Sequence, residues 1–97
     1  MYLVHLTFLH PHRERFPDYV REMVECAAES GDGLEHVSVH RRVDTDPTIG
    51  LFLRSRSLAD AEHTAARIWH RTTGTHPELD EYQLFRCEVP LIDGILP

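Results

Sequence analysis

Three of the chain's eight histidines fall within nine residues, VHLTFLHPH at 4–12. His5 sits in an apolar run, and its imidazole titrates close to neutral pH, so it is a candidate general acid or base. The plainer alternative is a ring packed in an interface and bonded to a neighbour. His10 and His12 flank Pro11 and read as a solvated loop. His36 and His40 share one face of a later extended run, lining either a pocket or a seam between subunits. Zinc or iron takes imidazole, so His5, His36 and His40 form a chemically reasonable set. No spacing enforces it and no tight His/Cys/carboxylate motif occurs, so the expectation is no metal and no cofactor. Arg54 and Arg86 are suited to clamp a carboxylate or stabilise an enolate; the alternative is pairing with Glu88 or with acids of a partner chain. Tyr82 either donates a proton or stacks. No nucleophile elbow, phosphate loop, CxxC pair or dinucleotide fingerprint is present, which removes the common nucleotide-dependent chemistries.

These side chains need elements to hold them. Residues 2–9 read as a strand that breaks at Pro11. Residues 16–30 carry Phe16, Val20, Met23, Val24 and Ala27 at helical spacing, with Pro17 in the first turn and Gly31 as the stop. Residues 34–43 alternate with period two, DTDP at 44–47 signals a turn, and 48–55 form the next strand. Ser57 and Asp60 open a second helix in a capping-box variant, with Leu58, Ala61, Ala65, Ile68, Trp69 and Thr72 along one face and Gly74 as its end. Residues 81–89 are the last strand, and PLIDGILP is a tail expected to lie across a neighbouring subunit or a barrel rim. The order β-α-β-β-α-β is the split arrangement of ferredoxin-like folds. Right-handed crossovers put both helices on one side of a four-stranded antiparallel sheet. Residues 1–97 form a single domain of the α+β class.

Bulk composition narrows the partners. Ninety-seven residues bury roughly 60–70% of their unfolded surface, so a second copy would help the core. The formal net charge of −6 opposes nucleic-acid binding, where Lys and Arg must neutralise phosphates. No membrane or targeting segment is read, so a cytoplasmic location is expected. Cys26 and Cys87 read as buried small hydrophobes rather than a disulfide.

Helices on one side leave the other face of the sheet bare, and strand parity says what points there. Val4, Leu6 and Phe8 go to the core with Tyr2, as do Val37, Val39 and Val43, then Ile49, Leu51 and Leu53. Phe85, Cys87 and Val89 are the core set of the last strand. The far face receives Leu3, His5, Thr7 and Leu9, then His36, Ser38, His40 and Arg42, then Gly50, Phe52 and Arg54, and finally Tyr82, Leu84, Arg86 and Glu88. This mixed patch covers roughly 400 Å², near the upper range for monomers. Closed by a second copy, it has the make-up of a small-molecule pocket.

In element order, length and face pattern the chain resembles the dimeric α/β-barrel superfamily. That superfamily includes antibiotic-biosynthesis monooxygenases, muconolactone-isomerase-like enzymes and small polyketide cyclases. Ala59-Asp60-Ala61-Glu62-His63 looks similar to a helix start seen in the monooxygenase-like members, although Arg54-Ser55 stands where they carry an aromatic residue. The resemblance implies a homodimer packed sheet to sheet, with a ligand in the lumen and His63 at the pocket mouth. The expected function is a cofactor-independent enzyme acting on a small hydrophobic metabolite. It isomerises or cyclises, with oxygenation second, in a biosynthetic setting. Catalysis falls to His5, Arg54, Arg86 and Tyr82, and ligand binding to Leu3, Thr7, His36, Ser38, His40, Phe52, Leu84 and His63. The alternative is a non-catalytic binding or accessory module.

Overall fold

The computed structural model describes residues 1–9, 16–40 and 47–88. Strand β1 (Tyr2–Leu9) leads to helix α1 (Val20–Ala27), then β2 (Leu34–His40), β3 (Thr48–Leu53), helix α2 (Leu58–Thr75) and β4 (Gln83–Glu88). Short 3-10 turns at Ser30–Asp32 and Pro77–Glu81 follow the two helices. The strands pair antiparallel in the order β2-β3-β1-β4. The chain is α+β, with a four-stranded antiparallel sheet and two helices, compatible with a ferredoxin-like βαββαβ fold.

Alternation builds the core. Val4, Leu6 and Phe8 of β1, Val37 of β2, and Ile49, Leu51 and Leu53 of β3 are buried together with Val20, Met23 and Val24 of α1 and Ala61, Ala65, Ile68 and Trp69 of α2. One face of the sheet is therefore covered by both helices. Each large side chain so buried contributes roughly 1.5–3 kcal/mol. The Phe8 ring lies 4.5 Å from Trp69 and 5.4 Å from Phe16, tying β1 to α2 and to the segment before α1.

Helix α1 is shorter than the expected 16–30. Arg71 of α2 donates from Nε to the Ala27 carbonyl at 3.0 Å and pairs through a terminal nitrogen with Asp32. Asp32 also accepts the Glu29 N–H at 2.8 Å. These side chains take over hydrogen bonding at the helix end, so Ala28 is already extended and the chain re-forms as the 3-10 turn. Gly33 then takes a left-handed φ of 75°, where a Cβ would strike the Arg54 carbonyl. At α2, Ser57 Oγ accepts the Asp60 N–H at 3.1 Å, the expected cap. Gly74 does not end α2, which runs to Thr75; Pro77 opens the next turn. Leu58, expected on the buried face, is exposed.

Strand β4 departs most from simple parity. Its register against β1 pairs Thr7 with Arg86 and Phe8 with Leu84, which leaves Phe85 as an inserted residue. A bulge of this kind flips the faces of everything before it. Tyr82, expected on the open face, is in the core instead, with its ring stacked on Phe16 at 4.7 Å. Leu84 is registered beside Phe8 on the helix side. Phe85, expected in the core, is 54% exposed under the Arg86 guanidinium. Beyond the bulge parity returns: Cys87 packs half-buried against the core, its Sγ 3.4 Å from the Glu62 carbonyl of α2. Cys26, by contrast, is exposed. His10, His12, Arg42, Val43, Val89 and the tail at 90–97 lie outside the described residues.

Candidate functional site

Strand register lays out the open face as three cross-strand rows. Leu3, Phe52 and His36 form the first, and Glu88, His5, Gly50 and Ser38 the second. Arg86, Thr7, Thr48 and His40 form the third. His5 is thus near the centre, on one of the two interior strands.

Gly50 is the residue around which the others gather. A Cβ there would stand 2.5 Å from Ser38 Oγ, 3.2 Å from Leu3 Cδ1 and 3.4 Å from His5 Cδ2. The space that a side chain would fill is used by three neighbours leaning inward. The consequence is a contact between strands that are not adjacent. β1 and β2 are separated by β3, so their backbones are about 9.6 Å apart. Yet the His5 and His40 rings meet edge to face at 5.2 Å, 64° between planes.

This setting changes His5. Burial of the ring, and then the neighbouring His40, hold its pKa below the ordinary 6.5. The imidazole is therefore neutral at pH 7 and available as a base. Among the described residues His5 has no hydrogen-bond partner to orient it. The face around it is mixed: the His36 ring lies 5.6 Å from Phe52, while Leu3, Thr7 and Ser38 are half-buried. At the β4 edge Arg86 and Glu88 pair at 3.5 Å, so Arg86 reaches the site already matched by an acid.

The remaining expected residues go elsewhere. Arg54 lies just past the end of β3, four residues from Gly50 and roughly 13 Å on by strand rise. Its Nε donates to Glu35 Oε1 at 2.8 Å, and a terminal nitrogen pairs with the same oxygen. It does not join His5. His63 is on α2, one of the two helices that cover the other face of the sheet, and does not stand beside His5. Tyr82 and Leu84 are removed by the bulge in β4. His36 stands two rows from His40, and among the described residues no group of three or more His, Cys, Asp or Glu side chains is arranged to hold a metal ion. Two residues of the open face take roles beyond those the sequence assigns them. Gly50 carries a signal, since a glycine inside a strand marks close approach. Glu88 pairs with Arg86, the alternative the sequence offers, but its place opposite His5 follows only from register.

No helix among the described residues is long and apolar enough to cross a membrane. Comparison of the chain with family models, with curated proteins and with solved structures finds no match.

Proposed function

We propose that the open face of the sheet is the working surface. A second copy of the chain closes over it sheet to sheet, as in the dimeric α/β-barrel superfamily. The chamber between them holds a small hydrophobic metabolite, and His5 carries a proton to or from it in an isomerisation or cyclisation. The observation that carries this reading is the placement of a partly buried imidazole above Gly50, on an interior strand. Phe52 and Leu3 supply apolar walls on one side of it, and Thr7, Ser38 and His40 supply polar groups on the other. A small-molecule site combines apolar lining with a few placed polar groups in this way.

One specific observation favours a second reading, a non-catalytic binding or accessory module: among the described residues His5 lacks the hydrogen-bonded partner that usually orients a catalytic base. Native mass spectrometry of the purified protein reports stoichiometry and any carried molecule together. A dimer with a bound organic ligand is expected, and a monomer with nothing bound overturns both readings. The carried ligand, incubated with protein in D2O, separates them. Deuterium uptake that disappears in His5→Gln supports the enzyme, while stoichiometric binding without exchange leaves the binding module.

A further inference from the structure

Arg54 and His63 do share a site, one that His5 does not line. Both line a cleft of about 350 Å³ between the loop after β3, the start of α2 and the Ser30–Asp32 turn. Arg56 and Arg67 line it as well, so three of the six arginines among the described residues converge on one cleft. The chain as a whole carries a formal net charge of −6, so this concentration does not follow from overall composition.

The donors there outnumber the acceptors. Asp32, at the edge of the cleft, spends its Oδ2 on Arg71 and on the Glu29 N–H. Arg54 spends Nε and one terminal nitrogen on a single oxygen of Glu35, leaving its other terminal nitrogen without a partner among the described residues. Arg67 gives one nitrogen to the buried Thr64 Oγ1 at 3.2 Å, which fixes the base of its fork. Arg56 has neither a hydrogen bond nor an ion pair among the described residues. Asp60 is the one remaining acid lining the cleft, and it is exposed.

We infer that this cleft is an oxyanion site, taking the phosphate or carboxylate group of a small ligand. Guanidinium groups present planar, paired N–H donors that match such oxygens and stay charged at any physiological pH. Thr64 adds a hydroxyl beside them, while that of Ser55 donates to the Ser57 carbonyl at 3.3 Å. The inference is independent of the reading of the open sheet face, because His5, Gly50 and His40 do not line the cleft.

The test is a titration of the full-length chain with inorganic phosphate, and separately with acetate, at constant ionic strength. It is followed by backbone and arginine Nε–Hε resonances. Saturable shifts confined to residues 31–32 and 54–67, which line the cleft, are expected. Arg56→Gln combined with Arg67→Gln should weaken binding about tenfold or more, the scale of lost charge-assisted hydrogen bonds. Arg21→Gln, outside the cleft, should leave it unchanged. Saturation by phosphate alone assigns a phosphoryl ligand, and saturation by acetate extends the assignment to carboxylates. Arg56→Gln by itself removes a side chain with no structural partner, so it keeps the test valid if the double variant does not fold. Shifts that grow linearly and match those of added chloride overturn the inference, as does saturable binding that the arginine variants leave intact.

Discussion

The His5 and His40 rings touch across a strand that belongs to neither of them. Their centroids are 5.2 Å apart although β3 runs between β1 and β2. Gly50 makes the contact possible because nothing rises from β3 at that point.

A side chain at position 50 should therefore push the histidines apart. In Gly50→Ala the new Cβ first meets Ser38 Oγ, which can rotate away, so a stability loss under about 1 kcal/mol is expected. In Gly50→Val the added methyls meet Leu3 and His5 as well, and overpacking of this kind costs about 1–3 kcal/mol. Urea denaturation measures the cost. The nuclear Overhauser contact between the His5 and His40 rings should weaken in Gly50→Ala and vanish in Gly50→Val. An unchanged ring contact in Gly50→Val would contradict the packing described above.

The depressed pKa of His5 makes stability depend on pH. Between its lowered value and 6.5 the unfolded chain holds more protons at this position than the folded chain. Stability contributed by neutral His5 is present above 6.5 and is lost as pH falls through that window. His5→Gln should flatten the difference in unfolding free energy between pH 7.5 and 5.5. His40→Gln removes one of the two causes of the depression, so the His5 ring resonances should titrate at a higher pH in that variant. No movement of the His5 midpoint in His40→Gln would show that the two rings do not sense each other.

Arg71 joins the two helices through the end of α1. In Arg71→Met the Ala27 carbonyl loses its donor and the buried Asp32 carboxylate loses its cation. Removing one partner of this part-buried pair costs about 1–3 kcal/mol, the scale of leaving a polar group unsatisfied. Arg71→Met with Asp32→Asn should recover part of that loss, because the uncompensated charge is then gone. Equilibrium unfolding of the single and double variants gives the comparison. A single variant as stable as the parent would mean the pair does not brace the helices.

The two thiols should separate by reactivity. Cys87 is half-buried, and burial, then Glu62 and Glu88, push its pKa up to about 11. Cys26 is exposed. Disulfide-exchange labelling of the native chain at pH 8 should show one fast thiol and one slow one, since only the thiolate attacks. Cys26→Ser should remove the fast phase. A fast phase that survives in Cys26→Ser places Cys87 in solvent and contradicts its packing against α2.

The sequence by itself determined the element order and most of the core. Alternation in 2–9, 34–40 and 48–53 and the helical spacing of Ala61, Ala65, Ile68 and Trp69 are local patterns, and one buried face per element follows from them. It also determined that His5, Phe52 and His36 share the uncovered face. What only the tertiary structure decided were the relations between elements. The bulge at Phe85 reverses the facing of Tyr82 and Leu84, because strand pairing rather than strand composition sets register. The end of α1 was moved by Arg71, a residue 44 positions from the carbonyl it caps. Arg54 and His63 met at one cleft by the start of α2, and His5 met His40 over a glycine. Each of these depends on which non-local neighbour is within reach, and a residue's own type and spacing do not carry that information.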